Sequence, residues 1–69
     1  MPEILKKFGT RVKSLRKEHK LTQIEFAQKC GLHHNYIGML ERGERNPSLL
    51  NIEIIAEAFE ISISDLMNI

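Results

Sequence analysis

The stretch from Leu21 to Gly43, LTQIEFAQKCGLHHNYIGMLERG, decides the fold of this chain. Thr22 can accept a hydrogen bond from the backbone of Glu25 while the Glu25 carboxylate reaches back, the capping box that begins a helix. Gly31 is the residue best able to take the left-handed conformation that ends one. A second helical pattern follows and stops at Gly43. Two short helices joined by a tight turn containing glycine form a helix-turn-helix.

Helical patterns flank this motif on both sides. In the first helix Ile4, Phe8, Val12 and Leu15 recur at helical spacing and are expected to form a core stripe. Beyond the motif, Pro47 disfavours helix in the residue before it. Alternation typical of a strand occurs only over residues 61–64, too briefly to build a sheet. The five predicted helices are Pro2–His19, Thr22–Gly31, His34–Arg42, Ser48–Glu60 and Ser62–Asn68.

Chain length and composition limit the architecture further. Sixty-nine residues, 42% of them hydrophobic, suit one small folded domain with a single core. We therefore expect an all-α, five-helix orthogonal bundle. We assign residues 1–69 to one domain, with the helix-turn-helix at about 22–42 and a dimerisation region at about 48–69.

The sequence also indicates a compartment. The single cysteine, Cys30, allows no internal disulfide, which fits a reducing environment. The start of the chain lacks the apolar stretch of a signal peptide, and no apolar run is long enough to cross a bilayer. We expect a cytoplasmic protein without a membrane partner.

Charge is distributed unevenly along the chain. Residues 1–45 hold ten Lys or Arg against five acidic residues, whereas residues 46–69 hold four acidic residues and no base. A basic N-terminal part and an acidic C-terminal part suit a protein that presents one face to a polyanion. The alternative is that these charges are only solvated by water.

Several positions, in order and at matching spacing, give the chain a family resemblance. They are Leu21-Thr22-Gln23, Phe26-Ala27, Gly31-Leu32, Tyr36-Ile37, Leu40-Glu41-Arg42-Gly43, Arg45-Asn46-Pro47-Ser48, Ile55-Ala56 and the closing Ile61-Ser62-Ile63-Ser64-Asp65-Leu66. With them the chain resembles the phage Cro/cI-type, or XRE-type, helix-turn-helix family, which has a lambda-repressor-like fold. More narrowly, it is similar to restriction–modification controller proteins. The resemblance covers most of the chain.

The resemblance implies sequence-specific binding of duplex DNA by the third helix. Asn35 can pair with adenine through two hydrogen bonds, and Met39 can contact a thymine methyl. Gly38 costs about 1 kcal/mol relative to alanine inside a helix. Either close approach to DNA or tight packing can explain that cost. The expected base contacts are His33, His34, Asn35, Gly38 and Met39.

Other matched positions imply contacts that do not read sequence. Arg16 and Glu41 match a partly buried ion pair between the first helix and the end of the third. Removing one partner of such a pair leaves a costly unpaired charge. The DNA backbone contacts are expected from Gln23, Tyr36, Arg42, Arg45, Asn46 and Arg11.

The last third of the chain has more apolar residues than one small core can bury. We expect a homodimer that sets two recognition helices about one DNA turn apart on a (pseudo)palindromic operator. The alternative is a monomer whose surface carries these extra apolar residues. The expected interface residues are Leu50, Ile54, Ala58, Met67 and Ile69.

The resulting interpretation is a transcriptional regulator in the cytoplasm, at the nucleoid, which occludes a promoter or contacts RNA polymerase. Cys30 with His19, His33 and His34 lacks the paired spacing of a zinc site, and no cofactor, metal or enzymatic activity is expected. The competing class is a protein-interaction module such as an antitoxin or adaptor.

Two positions depart from the family pattern. His33 stands where Ser or Thr often caps the third helix, so we expect the start of that helix to be less firmly fixed. Glu60 stands where Gly is frequent, so we expect the link to the last helix to differ.

Overall fold

The computed structural model describes residues 2–69, which form five α-helices and no strand. The predicted all-α, five-helix class is confirmed, and each predicted helix end lies within two residues of the observed one. The helices are α1 (Glu3–Glu18), α2 (Gln23–Cys30), α3 (His34–Glu41), α4 (Leu49–Ala58) and α5 (Ile63–Leu66). None of them is long and apolar enough to span a membrane.

Side-chain caps define where α2 and α4 begin. The Thr22 hydroxyl accepts from the Glu25 backbone N–H at 3.1 Å, and the Thr22 N–H donates to the Glu25 carboxylate at 2.8 Å. The Ser48 hydroxyl accepts from the Asn51 N–H at 3.0 Å. At the other end of α2, Gly31 takes a left-handed conformation with φ of 70°. Each cap satisfies a backbone group that the helix itself leaves without a partner.

The core fills the space between the helices with stacked and branched side chains. Phe26 of α2 and Phe59, directly after α4, stack with ring centroids 4.4 Å apart. Val12 and Ile37 are fully buried beside them. The predicted core position of Ile4 is wrong: its side chain is 56% exposed, because the first turn of α1 extends past the core. The buried stripe of α1 begins at Phe8.

The approach of α1 to α3 depends on Gly9. A Cβ at this position would touch the carbonyl oxygen of Leu40 and lie 2.6 Å from that of Glu41. Backbone atoms cannot move aside as a flexible side chain can, so only glycine allows α1 to cross the end of α3 this closely. This contact fixes α3 against the rest of the protein.

The turn between α4 and α5 contains a residue in an unfavourable backbone conformation. Glu60 has φ of 58°, in the left-handed region that glycine adopts without steric cost. A non-glycine residue at this position predicts a changed link. Glu60 adopts the backbone conformation that glycine favours.

Candidate nucleic-acid interface

A buried ion pair joins α1 to the end of α3. The Arg16 Nε donates to Glu41 Oε2 at 2.6 Å and its Nη2 donates to Glu41 Oε1 at 3.0 Å. A third guanidinium nitrogen, Nη1, donates to the Leu21 carbonyl at 2.8 Å. The hydrogen bond with Glu41 raises the pKa of Arg16. The structure therefore brings together the two residues for which the family resemblance implied a pair.

The same carboxylate orients a side chain at the start of α2. Gln23 Nε2 donates to Glu41 Oε1 at 3.0 Å. Because this bond takes one amide hydrogen, the second hydrogen of Nε2 remains for another acceptor. Gln23 is the expected DNA backbone contact at the positive end of the α2 dipole, where an anion is favoured.

One side of α3 is open and the other lies in the core. Ile37 and Leu40 are buried, whereas His34 and Asn35 are exposed and Met39 is partly buried. These last three residues belong to a depression of about 190 Å³, which we call the α3 depression. It is lined by Gln23, His34, Asn35, Gly38, Met39 and Arg42.

The α3 helix has an unusual but effective cap. The His33 Nδ1 accepts a hydrogen bond from the Asn35 backbone N–H at 3.1 Å. The His33 ring also stacks on the His34 ring, with centroids 4.6 Å apart. The expectation of a less firmly fixed helix start is wrong, because an imidazole nitrogen takes the role of a Ser or Thr hydroxyl. His33 itself is exposed.

Gly38 is the floor of the α3 depression rather than one of its projecting groups. It is buried, and a Cβ there would lie 3.3 Å from Arg42 Nη1 and 3.5 Å from Gln23 Oε1. A Cβ here would be slightly tight against the flexible end of Arg42 and in ordinary contact with Gln23, so packing alone does not require the glycine. Gly38 lies beside His34, Asn35 and Met39, and its contact with a base stays a prediction.

Arg42 is held by an acidic neighbour that the sequence analysis did not single out. Its Nε and Nη2 donate to the two carboxylate oxygens of Glu44 at 3.0 and 3.1 Å. The hydrogen bond raises the pKa of Arg42 and lowers that of Glu44. Both side chains are exposed. An anion that approaches Arg42 must compete with this carboxylate.

Tyr36 connects α3 to the start of α4. Its hydroxyl oxygen accepts from Asn51 Nδ2 at 3.1 Å, and the Arg45 guanidinium carbon lies 5.2 Å from its ring centroid. Arg45 and Asn46 are exposed in the loop after α3. Sequence reasoning missed Asn51, because a contact fifteen residues away carries no periodic signal.

Arg11 lies elsewhere, which corrects its assignment to the DNA-binding surface. Its Nη2 donates to the Asp65 carbonyl in α5 at 2.9 Å, and its Nε is buried without a partner. The groove that it lines contains residues of α1 and Ile69, and none of α2 or α3. Arg11 thus belongs to the contact between α1 and α5.

The residues expected at a dimer interface do not form one surface. Ala58 is 8% exposed and belongs to the core, because burial increases toward the end of α4, against which α5 packs. Met67 packs on the core and Ile69 borders the groove of Arg11. Ile54 is partly buried. The exposed residues among those expected are Leu50 and Ile69. Leu50 adjoins two exposed residues that the expectation missed, Leu49 and Ile63. Glu53 lines the same hollow, and we call these four residues the α4–α5 patch.

The cysteine and histidines do not assemble into a reactive cluster in the part of the chain that the structure describes. No group of three or more His, Cys, Asp or Glu residues within 2–69 is placed to hold a metal ion. Burial raises the pKa of Cys30 to about 11, so its sulfur is a protonated thiol at neutral pH. The His19 ring packs at 5.1 Å from that of Phe59.

Comparison with known proteins identifies the same architecture. A family model described as helix-turn-helix, HTH_3, matches residues 12–66. The immunity repressor protein of Bacillus phage phi105 is 42% identical over 86% of this chain, but the chain spans only 41% of that repressor's length. The restriction-modification controller protein C.AhdI from Aeromonas hydrophila, whose crystal structure is solved, is 44% identical in sequence. Its structure superposes with a TM-score of 0.87 over 90% of this chain and 94% of the C.AhdI chain. The master regulator for biofilm formation SinR, whose structure is solved in complex with DNA, is 31% identical in sequence. Its structure superposes with a TM-score of 0.82 over 88% of this chain and 98% of the SinR chain.

Proposed function

The chain belongs to the HTH_3 helix-turn-helix family, and we propose that it regulates transcription by sequence-specific binding of duplex DNA as a homodimer. The observation that carries this proposal is the open face of α3. His34 and Asn35 are exposed on a helix whose opposite face is locked into the core by Ile37 and Leu40. A rigid helix with free polar side chains near its N-terminus is suited to the major groove.

The residues of this face contact different parts of the base edges. Asn35 offers the donor and acceptor pair that suits adenine, while His34 and Met39 extend the surface along the groove. His33 lies at the helix start and can reach a neighbouring base edge from its free Nε2. These groups supply discrimination between sequences.

A second set of residues binds the phosphates on either side. Arg42 and Arg45 are exposed cations, and Gln23 and Tyr36 each retain one hydrogen to donate. Asn46 extends the set along the loop after α3. Phosphate contacts position the protein and make affinity depend on salt, but they carry little sequence information.

The α4–α5 patch is the surface on which we propose that two copies meet. Leu49 and Leu50 are 77% and 64% exposed, and Ile63 adjoins them. Adjacent apolar side chains on the surface of so small a domain are typical of an interaction site. A twofold axis through this patch gives each dimer two recognition helices for two half-sites.

A titration of labelled duplex tests the DNA-binding proposal. A random-sequence duplex of about 25 base pairs, followed by fluorescence anisotropy, should bind at low salt and release as salt rises, with the steep dependence that phosphate contacts produce. Arg45→Ala should weaken binding to every duplex and reduce the salt slope by about 1. Lys17→Ala removes the same charge from α1 rather than from the loop after α3 and serves as the control. Absence of binding at low salt would leave a protein-interaction module as the better account.

A further inference from the structure

The Tyr36 hydroxyl lies where the first turns of α3 and α4 meet. Asn51 Nδ2 donates to its oxygen at 3.1 Å, and the Arg45 guanidinium lies over the ring. Tyr36 and Asn51 are both partly buried, so this hydrogen bond is sheltered from bulk water on one side. The arrangement joins a recognition helix to the helix that carries the α4–α5 patch.

We propose that Asn51 is a positioning residue for the DNA backbone contact of Tyr36, an inference that rests on the proposed function. A phenol has one hydrogen to donate, and its oxygen can accept. Because the Asn51 amide donates, the oxygen acts as acceptor in this bond and its own hydrogen remains free. Asn51 thereby makes Tyr36 an outward donor, which is the role that a phosphate oxygen requires.

Asn51 is itself held firmly. It is the third residue of α4, and its backbone N–H donates to the capping Ser48 hydroxyl at 3.0 Å. Its side chain therefore extends from a fixed helix start rather than from a loop. A phosphate beside Tyr36 is then met by two groups, the phenolic O–H and the Arg45 cation over the same ring, and charge-assisted hydrogen bonds of this kind are the strong ones.

The variant Asn51→Asp reverses the polarity of the hydrogen bond with little change in shape. A carboxylate only accepts, so the phenolic hydrogen turns inward to an oxygen of the introduced carboxylate and is lost to the phosphate. A negative charge in the first turn of a helix is favourable, so α4 should keep its start. Since the new charge also repels DNA, the test needs a background in which the hydroxyl is absent.

A double-mutant cycle with Tyr36→Phe separates these two effects. The probe is a random-sequence duplex of about 25 base pairs, titrated by anisotropy at low salt. We expect Asn51→Asp to weaken binding at least tenfold when Tyr36 is present, and about threefold from charge alone in the Tyr36→Phe background. Asn51→Ala, which frees the hydroxyl without reversing it, should cost less than Asn51→Asp in the presence of Tyr36.

A spectroscopic measurement reports on the hydrogen bond without DNA. Tyr36 is the only tyrosine and the chain has no tryptophan, so intrinsic tyrosine fluorescence comes from this one side chain. A carboxylate that accepts the phenolic hydrogen quenches this emission. The fluorescence of Asn51→Asp should fall below that of the wild type and of Asn51→Ala, with unchanged far-ultraviolet circular dichroism.

The outcomes distinguish this inference from the proposed function. Suppose that the wild type binds duplex DNA and that Asn51→Asp lowers the affinity by the same factor whether residue 36 is Tyr or Phe. The positioning role is then overturned and the DNA-binding function stands. If tyrosine emission is unchanged in Asn51→Asp, the polarity argument is also overturned. If the wild type fails to bind any duplex, both proposals fall together.

Discussion

The ion pair between Glu44 and Arg42 predicts that a single acidic residue weakens the proposed DNA binding. The Glu44 carboxylate holds the Arg42 guanidinium through two hydrogen bonds, so a phosphate that binds Arg42 has to compete for the same donors. Glu44→Gln should raise affinity for random duplex about threefold to tenfold, because a competing charge is removed and Arg42 is freed. Glu57→Gln, an exposed α4 change of the same charge, is the control. Equal gains from both variants would contradict a specific role for the ion pair.

Arg16 and Glu41 act on stability instead. Arg16→Met leaves a buried carboxylate without its cation and should lower the free energy of unfolding by roughly 3–5 kcal/mol, whereas Arg16→Met with Glu41→Leu should restore most of it. Urea denaturation followed by circular dichroism measures both. A loss below about 1 kcal/mol in the single variant would show that the pair is not the brace between α1 and α3.

At the scale of residues, sequence reasoning predicts which side chains are exposed but not which of them touch each other. The exposure of His34 and Asn35 follows from the helical period, since Ile37 and Leu40 define the opposite face. The bond between Asn51 and Tyr36, and the fit of Arg42 over Gly38, depend on distances between separate elements. Periodicity contains no information on such distances, so these contacts could not be predicted.

At the scale of helices, most of the fold could be read from local signals. Thr22, Ser48 and Gly31 mark helix ends through hydrogen bonds or backbone conformations confined to a few neighbouring residues. The burial of Ala58 could not be read this way. It shares the helical spacing of Leu50 and Ile54, but the packing of α5 against α4 is a tertiary event.

The turn after α4 offers a stability prediction at this scale. Glu60→Gly relieves a left-handed conformation that costs roughly 1–2 kcal/mol. Glycine also adds about 0.5–1 kcal/mol of chain entropy that folding must overcome, so the net gain in the free energy of unfolding is up to about 1.5 kcal/mol. The melting temperature should rise by a few degrees. Glu57→Gly, inside α4, should instead destabilise by about 1 kcal/mol. A lower melting temperature for Glu60→Gly would mean that its side chain makes a stabilising contact.

For the molecule as a whole, the proposal that two copies meet at the α4–α5 patch predicts the mass of the protein in solution. One chain has a mass of 8.0 kDa, and light scattering should give about twice that value for the wild type. Leu49→Glu with Leu50→Glu should give the mass of one chain and keep the fold, because both side chains are already exposed. Ile24→Glu, on an exposed apolar residue of α2, should stay dimeric. A wild type with the mass of one chain would contradict the proposed interface.

Selection of bound duplexes from a random DNA pool tests the central claim, that the open face of α3 reads sequence for a dimer. The account predicts enrichment of a twofold-symmetric site with half-sites about one helical turn apart. It also predicts that Asn35→Ala loses preference at one base pair of each half-site, a change worth roughly 1–3 kcal/mol. A pool that remains random after repeated rounds, or an Asn35→Ala site identical to that of the wild type, would contradict it.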